Sequence, residues 1–135
     1  MSRVMFKKSD LVHAWWGRCI EERCQVCYIL PDKRDEYRRD GLVVPFKGES
    51  FSPAALGWFE RISVDVLYES WLNWAKMFCP WYADDMTKRG FMVIFVKVAA
   101  DHIDRKGTMM VDGKRKTAVN FRPRNFSVDS TVGTV

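Results

Sequence analysis

The sequence predicts a single α+β domain: three helices followed by a C-terminal β-hairpin, with an excursion at 28–61 inserted after the first helix. Three observations predict it. Apolar residues recur at helical spacing around Trp15 and Trp16 and again from Leu67 to Phe78. Two strand-like runs flank Asp112-Gly113. Apolar residues make up 47% of the 135 and aromatics 14%, enough to fill one core without a disulfide or metal staple. The domain is expected to span 1–126. Residues 127–135, rich in Ser, Thr, Val and Gly, are expected to form a flexible tail.

Each element follows from local chemistry. Ser9 and Asp10 can cap a helix beginning near Leu11. Val12, Trp16, Cys19 and Arg23 lie on one stripe, which Trp15 and Ile20 widen, and the helix should fade around Cys27 to Leu30, before Pro31. The excursion is rich in turn formers and charge, with a short strand expected in Gly41 to Phe46. Ser52 and Pro53 are a candidate helix start in 51–61, with Trp58 and Phe59 as anchors. Ser63 is a good N-cap for the second helix, and Asp65 in its first turn favours the helix dipole. Leu67, Trp71, Trp74 and Phe78 make a core-facing stripe, ended by Pro80. Asp84 and Asp85 can open a third segment. Its apolar run, residues 91–98, reads as a buried strand by propensity and as half a buried helix by context. Thr108 to Val111 and Thr117 to Phe121 then pair across Asp112-Gly113, which supplies the positive φ angles of a type I′ turn.

Charge is distributed unevenly. Residues 86–126 carry ten basic and three acidic side chains, net +7, whereas the rest of the chain is −2. Such asymmetry marks a polyanion-facing surface. The candidate nucleic-acid-binding residues are Thr87, Lys88, Arg89, Lys97, Arg105, Lys106, Lys114, Arg115, Lys116, Arg122 and Arg124. A merely solvated charged face is the bland alternative.

Three helices and a β-ribbon in this order form a winged-helix-like arrangement. The chain also resembles the C-terminal winged-helix DNA-binding domain of phage- and poxvirus-type primase–helicases. The similar segments are Val12-His-Ala-Trp-Trp-Gly-Arg-Cys-Ile-Glu-Glu-Arg-Cys24, Leu67-Tyr-Glu-Ser-Trp-Leu-Asn-Trp74, Thr87-Lys-Arg-Gly-Phe91 and Gly113-Lys-Arg-Lys116. Trp71 stands where the family usually has Tyr, and the 28–61 excursion has no family counterpart. The resemblance implies the DNA-binding module alone, in origin- or replication-linked DNA contact and without a motor; replication or regulation of a phage or mobile element is the expected setting.

Enzyme readings fare poorly. The sequence has no Gly-rich phosphate loop, no Gly-x-Ser-x-Gly and no His-Glu-x-x-His. His13 and His102 lack a nameable catalytic partner. Cys24 and Cys27 could be a zinc ligand pair, but no second pair accompanies them, so Cys19, Cys24, Cys27 and Cys79 are read as reduced packing residues. No catalysis, cofactor or metal is therefore expected. No secretory signal is visible and Phe91 to Val96, the longest apolar run, is far short of the roughly 20 residues of a membrane span, so a cytoplasmic location is expected. The predicted partner is nucleic acid, with duplex DNA favoured over RNA. Two alternatives remain. One is a small viral or phage protein-interaction factor presenting Trp58 and Phe59 from 28–61. The other is a single-strand DNA or RNA binder stacking bases on Phe121, Arg122, Arg124 and Phe126.

Overall fold

The computed structural model describes residues 7–46 and 57–123. Over them the chain is α+β, with five helices and a four-stranded antiparallel sheet rather than three helices and a hairpin. The predicted tail 127–135, Arg124 and Phe126, and the Ser52-Pro53 helix start lie outside the described residues.

Helix α1 (Lys8–Glu22) starts three residues before the predicted position, because the Asp10 carboxylate accepts a hydrogen bond from the Lys7 backbone N–H at 3.1 Å. Ser9 lies inside it. It stops at Glu22 rather than fading toward Leu30, since Arg23 turns left-handed (φ 58°) and its N–H bonds back into the last turn. Leu11, Val12, Trp15, Trp16 and Cys19 face the core.

The charged start of the excursion forms helix α2 (Pro31–Arg39), where turns were expected. Pro31 suits the first helical position, Asp32 lies in the first turn and Arg38 and Arg39 in the last, all favourable to the dipole. No residue of α2 is buried, so it has no apolar period to betray it. It is fastened to the body through Glu69, which Lys33 reaches at 2.9 Å and Tyr37 at 2.6 Å. Gly41 (φ +80°) then turns the chain into strand β1 (Val43–Pro45), inside the predicted 41–46.

Strand β2 (Phe59–Ser63) replaces the end of the helix expected over 51–61. Its edge at Phe59 is satisfied by Gln25, fully buried. The Gln25 Nε2 donates to the Phe59 carbonyl and the Phe59 N–H donates to Gln25 Oε1, both at 2.9 Å. A side-chain amide thus stands in for a neighbouring strand. Ser63 ends β2 and caps helix α3 (Val64–Phe78), accepting from the Val66 N–H at 3.2 Å. Leu67, Trp71 and Trp74 are buried as predicted, but Phe78 is 55% exposed because α3 outruns the core. Pro80 ends α3 and opens the short helix α4 (Pro80–Ala83).

Residues 91–98 are helical, in α5 (Lys88–Val98). Thr87 caps it, accepting from the Gly90 N–H at 3.0 Å, so it begins later than Asp84 and Asp85. Phe91, Phe95 and Ala99 recur every four residues and are fully buried, with Phe91 and Phe95 against Trp15 and Trp16 of α1. Packing on α1 selects helix over the strand that composition alone allows.

A 3₁₀ turn (Ala100–His102) leads to β3 (Ile103–Val111), which pairs along its length with β4 (Lys114–Phe121). Asp112 (φ 52°) and Gly113 (φ 76°) make the predicted turn, although β3 starts five residues earlier than Thr108. The sheet order is β1-β2-β4-β3, so β4 is central on the β2 side and Ser63 lies opposite Ala118. The main core joins α1, α3 and α5 to Ile62, Val119 and Phe121. On the opposite face, Met109, Val111 and Ala118 form a small second cluster with Leu42 and Val44.

Candidate nucleic-acid interface

β2 ends opposite Ala118, and the chain leaves the sheet to enter α3. The outer half of the β3–β4 hairpin therefore overhangs the start of α3 and faces the start of α5. Between them lies an open concavity of about 440 Å³. Lys88 and Arg89 from α5, Lys106 from β3, and Arg115 and Lys116 from β4 line it, with Asp65, Met92 and Thr117 among them. Five cations from three elements thus share one surface with one carboxylate.

Asp65 organises this surface. It pairs with Lys88 on one oxygen and with Lys116, at 3.4 Å, on the other. The Lys88 ammonium, backed by Lys116, holds the Asp65 carboxyl below its usual 3.8, against partial burial that pushes it up. Arg89, Lys106 and Arg115 are exposed and make no ion pair among the described residues.

The other predicted residues are placed differently. Thr87 contributes as the cap of α5. Lys97 lies two turns along α5 from Arg89 on the same exposed stripe, with Val93 between them. Lys114 is exposed at the hairpin tip. Arg105 belongs to the strand face of Gly107 and Met109, and therefore points away from Lys106. Arg122 sits beyond β4, where its Nε donates to the Ile103 carbonyl at 3.3 Å and its carbonyl accepts from Trp58 Nε1 at 2.9 Å.

Two alternative readings lose residues they needed. Trp58 and Phe59 are buried, packed in the core, and present no surface. Phe121 is buried against Trp16 and Phe95, so no base can stack on it. Exposed apolar surface lies instead at the α3–α4 corner, where Met77, Phe78 and Trp81 are all more than half exposed and Trp81 reaches 70%. Cys19 and Cys24 are buried, and the Cys19 and Cys27 sulfurs lie 3.8 Å apart. Among the described residues no group of three His, Cys, Asp or Glu could hold a metal ion, and no helix is long and apolar enough to cross a membrane.

In the sequence Asp65 stands out only as a dipole residue, and nothing marks Met92 as part of a surface. Asp65 is 23 residues from Lys88 and 51 from Lys116, so no local pattern could signal their meeting. No protein-family model, no curated protein and no solved structure matches the chain.

Proposed function

We propose that this chain is a non-enzymatic duplex-DNA-binding module of winged-helix type, with α5 as the groove-facing helix and the β3–β4 hairpin as the wing. The element order supports this reading of the α+β fold. β2 leads into α3, α3 and α5 form a helix pair over α1, and β3–β4 follows, in sheet order β2-β4-β3. Pairing β4 with β2 locks the hairpin beside the helix pair, so helix and wing approach a ligand as one body. On this reading α2 and β1 are additions. So is the length of the connection at 79–87, which contains α4, where helix-turn-helix motifs use 3–4 residues.

One observation carries the proposal: Lys88, Arg89, Lys106, Arg115 and Lys116 converge on one concavity from the helix and the hairpin. The apolar character of α5 does not oppose it. Phe91 and Phe95 are buried, leaving Arg89, Val93 and Lys97 outermost. A helix of about 10–12 Å diameter fits the major groove of about 12 Å. Cations on the hairpin then meet the flanking phosphates and release counterions. Replication or regulation of a phage or mobile element is the setting that goes with this reading.

A fluorescence-anisotropy salt titration on duplex DNA, single-stranded DNA and RNA tests this. Duplex DNA should bind tightest. Five cations less one carboxylate give an expected slope of log affinity against log salt of about −3.6, at about 0.9 per phosphate. Arg89→Ala with Arg115→Ala should lower it by nearly two. A double variant with unchanged duplex affinity and slope would overturn the proposal. A protein partner is the second reading, favoured by exposed Met77, Phe78 and Trp81. It expects partner capture that heparin does not compete away.

A further inference from the structure

The exposed stripe of α5 is cationic only at its ends. Arg89, Val93 and Lys97 recur every four residues along it, and Val93 is 55% exposed. Val96, half-buried, lies beside Val93 on the same arc. Val93 therefore sits at the centre of this stripe, beside the concavity that Arg89 lines, about 6 Å along the helix axis from each cation at 1.5 Å per residue.

That pattern fits one feature of duplex DNA. Phosphates line the edges of the major groove, while its floor carries one apolar group, the C5-methyl of thymine. A helix with cations at both ends and valine in the middle matches phosphate–methyl–phosphate in order and chemistry. A-form RNA offers no such match, because its major groove is too deep and narrow to enter and uracil lacks the methyl. We propose that Val93 packs on a thymine methyl at the centre of the bound duplex and makes the module specific for thymine-containing DNA. The inference rests on the duplex-binding reading above and goes beyond it by naming what is read and by which side chain.

The test begins with enrichment of bound sequences from a random duplex pool. Each thymine of the enriched site is then replaced singly by deoxyuridine, which removes the methyl and keeps every hydrogen-bonding group. One position should weaken binding about fourfold, the value of burying one methyl group. Val93→Ala should bind the thymine duplex more weakly and lose most of the difference between thymine and deoxyuridine at that position, because the shorter side chain leaves the methyl largely uncovered. Val93 is exposed and alanine favours helix, so the variant should keep its fold, checked by circular dichroism. Deoxyuridine without effect at every position would overturn the inference while leaving duplex binding standing. So would a methyl effect undiminished in Val93→Ala, since another group would then be reading it. Failure to enrich any duplex would instead overturn the reading on which the inference rests.

Discussion

Asp65 faces two demands at once. As the carboxylate in the first turn of α3 it favours the helix dipole, and as the partner of Lys88 and Lys116 it holds two cations in the concavity. On the proposed duplex-binding reading, it also places a negative charge against the phosphates. Asp65→Asn should therefore separate stability from affinity. At neutral pH it should destabilise the fold by only about 0.5 kcal/mol, because all three groups are substantially exposed and screened. Duplex affinity should rise severalfold, because one like charge facing the phosphates is gone. The pH dependence has a definite sign. The folded pKa lies below the ordinary 3.8, so the Asp65 contribution is fully present above that value and fades as pH falls through the depressed one. Wild type and Asp65→Asn should differ in urea midpoint at pH 7 and converge at the acid end. Weaker duplex binding by the variant would show instead that Asp65 is needed to aim the two lysines.

Helix α5 depends on its seat more than on its own preference. Phe95 packs against Trp15, Trp16, Phe91 and Phe121, joining α1 to the sheet through one side chain. Phe95→Ala should cost about 3–5 kcal/mol in urea unfolding and reduce duplex binding in step with the folded fraction. A loss much below that would mean that α5 is held chiefly by its ends. The same dependence explains which elements could be read from sequence. The Ser63 cap and the Asp112-Gly113 turn rest on contacts within a few residues, and the Leu67-Trp71-Trp74 stripe and the turn-flanked strand at 43–45 carry their own local patterns although they pack on distant partners, so all are legible. Helix α2 is not, because its anchor is Glu69, 32 residues from Tyr37 and 36 from Lys33. β2 is not either, because Gln25 completes its edge from 34 residues away. The choice of helix for 91–98 depends on tryptophans near the other end of the chain. The cations of the candidate surface were visible as a composition. Which of them meet was not, because the turn of β2 into α3 selects them.

At the scale of the whole molecule, a net charge of +5 could attract nucleic acid without any particular surface. Arg89 and Arg105 distinguish the two cases. Both are exposed and each removal lowers the net charge by one, but Arg89 lines the concavity while Arg105 lies on the sheet face opposite Lys106. If total charge governs binding, Arg89→Ala and Arg105→Ala should weaken duplex affinity equally at every salt concentration. If the surface governs it, Arg89→Ala should lower the salt slope by about 0.9 and Arg105→Ala should leave it unchanged. The second outcome is expected, because a Debye length near 8 Å at physiological salt screens a cation on the far side of a sheet from phosphates held on the near side. The comparison should be repeated at low salt. There the Debye length grows to about 30 Å and Arg105 should begin to matter. Equal slopes for the two variants at physiological salt would return the charge asymmetry to a property of the whole molecule and remove the concavity as its reason.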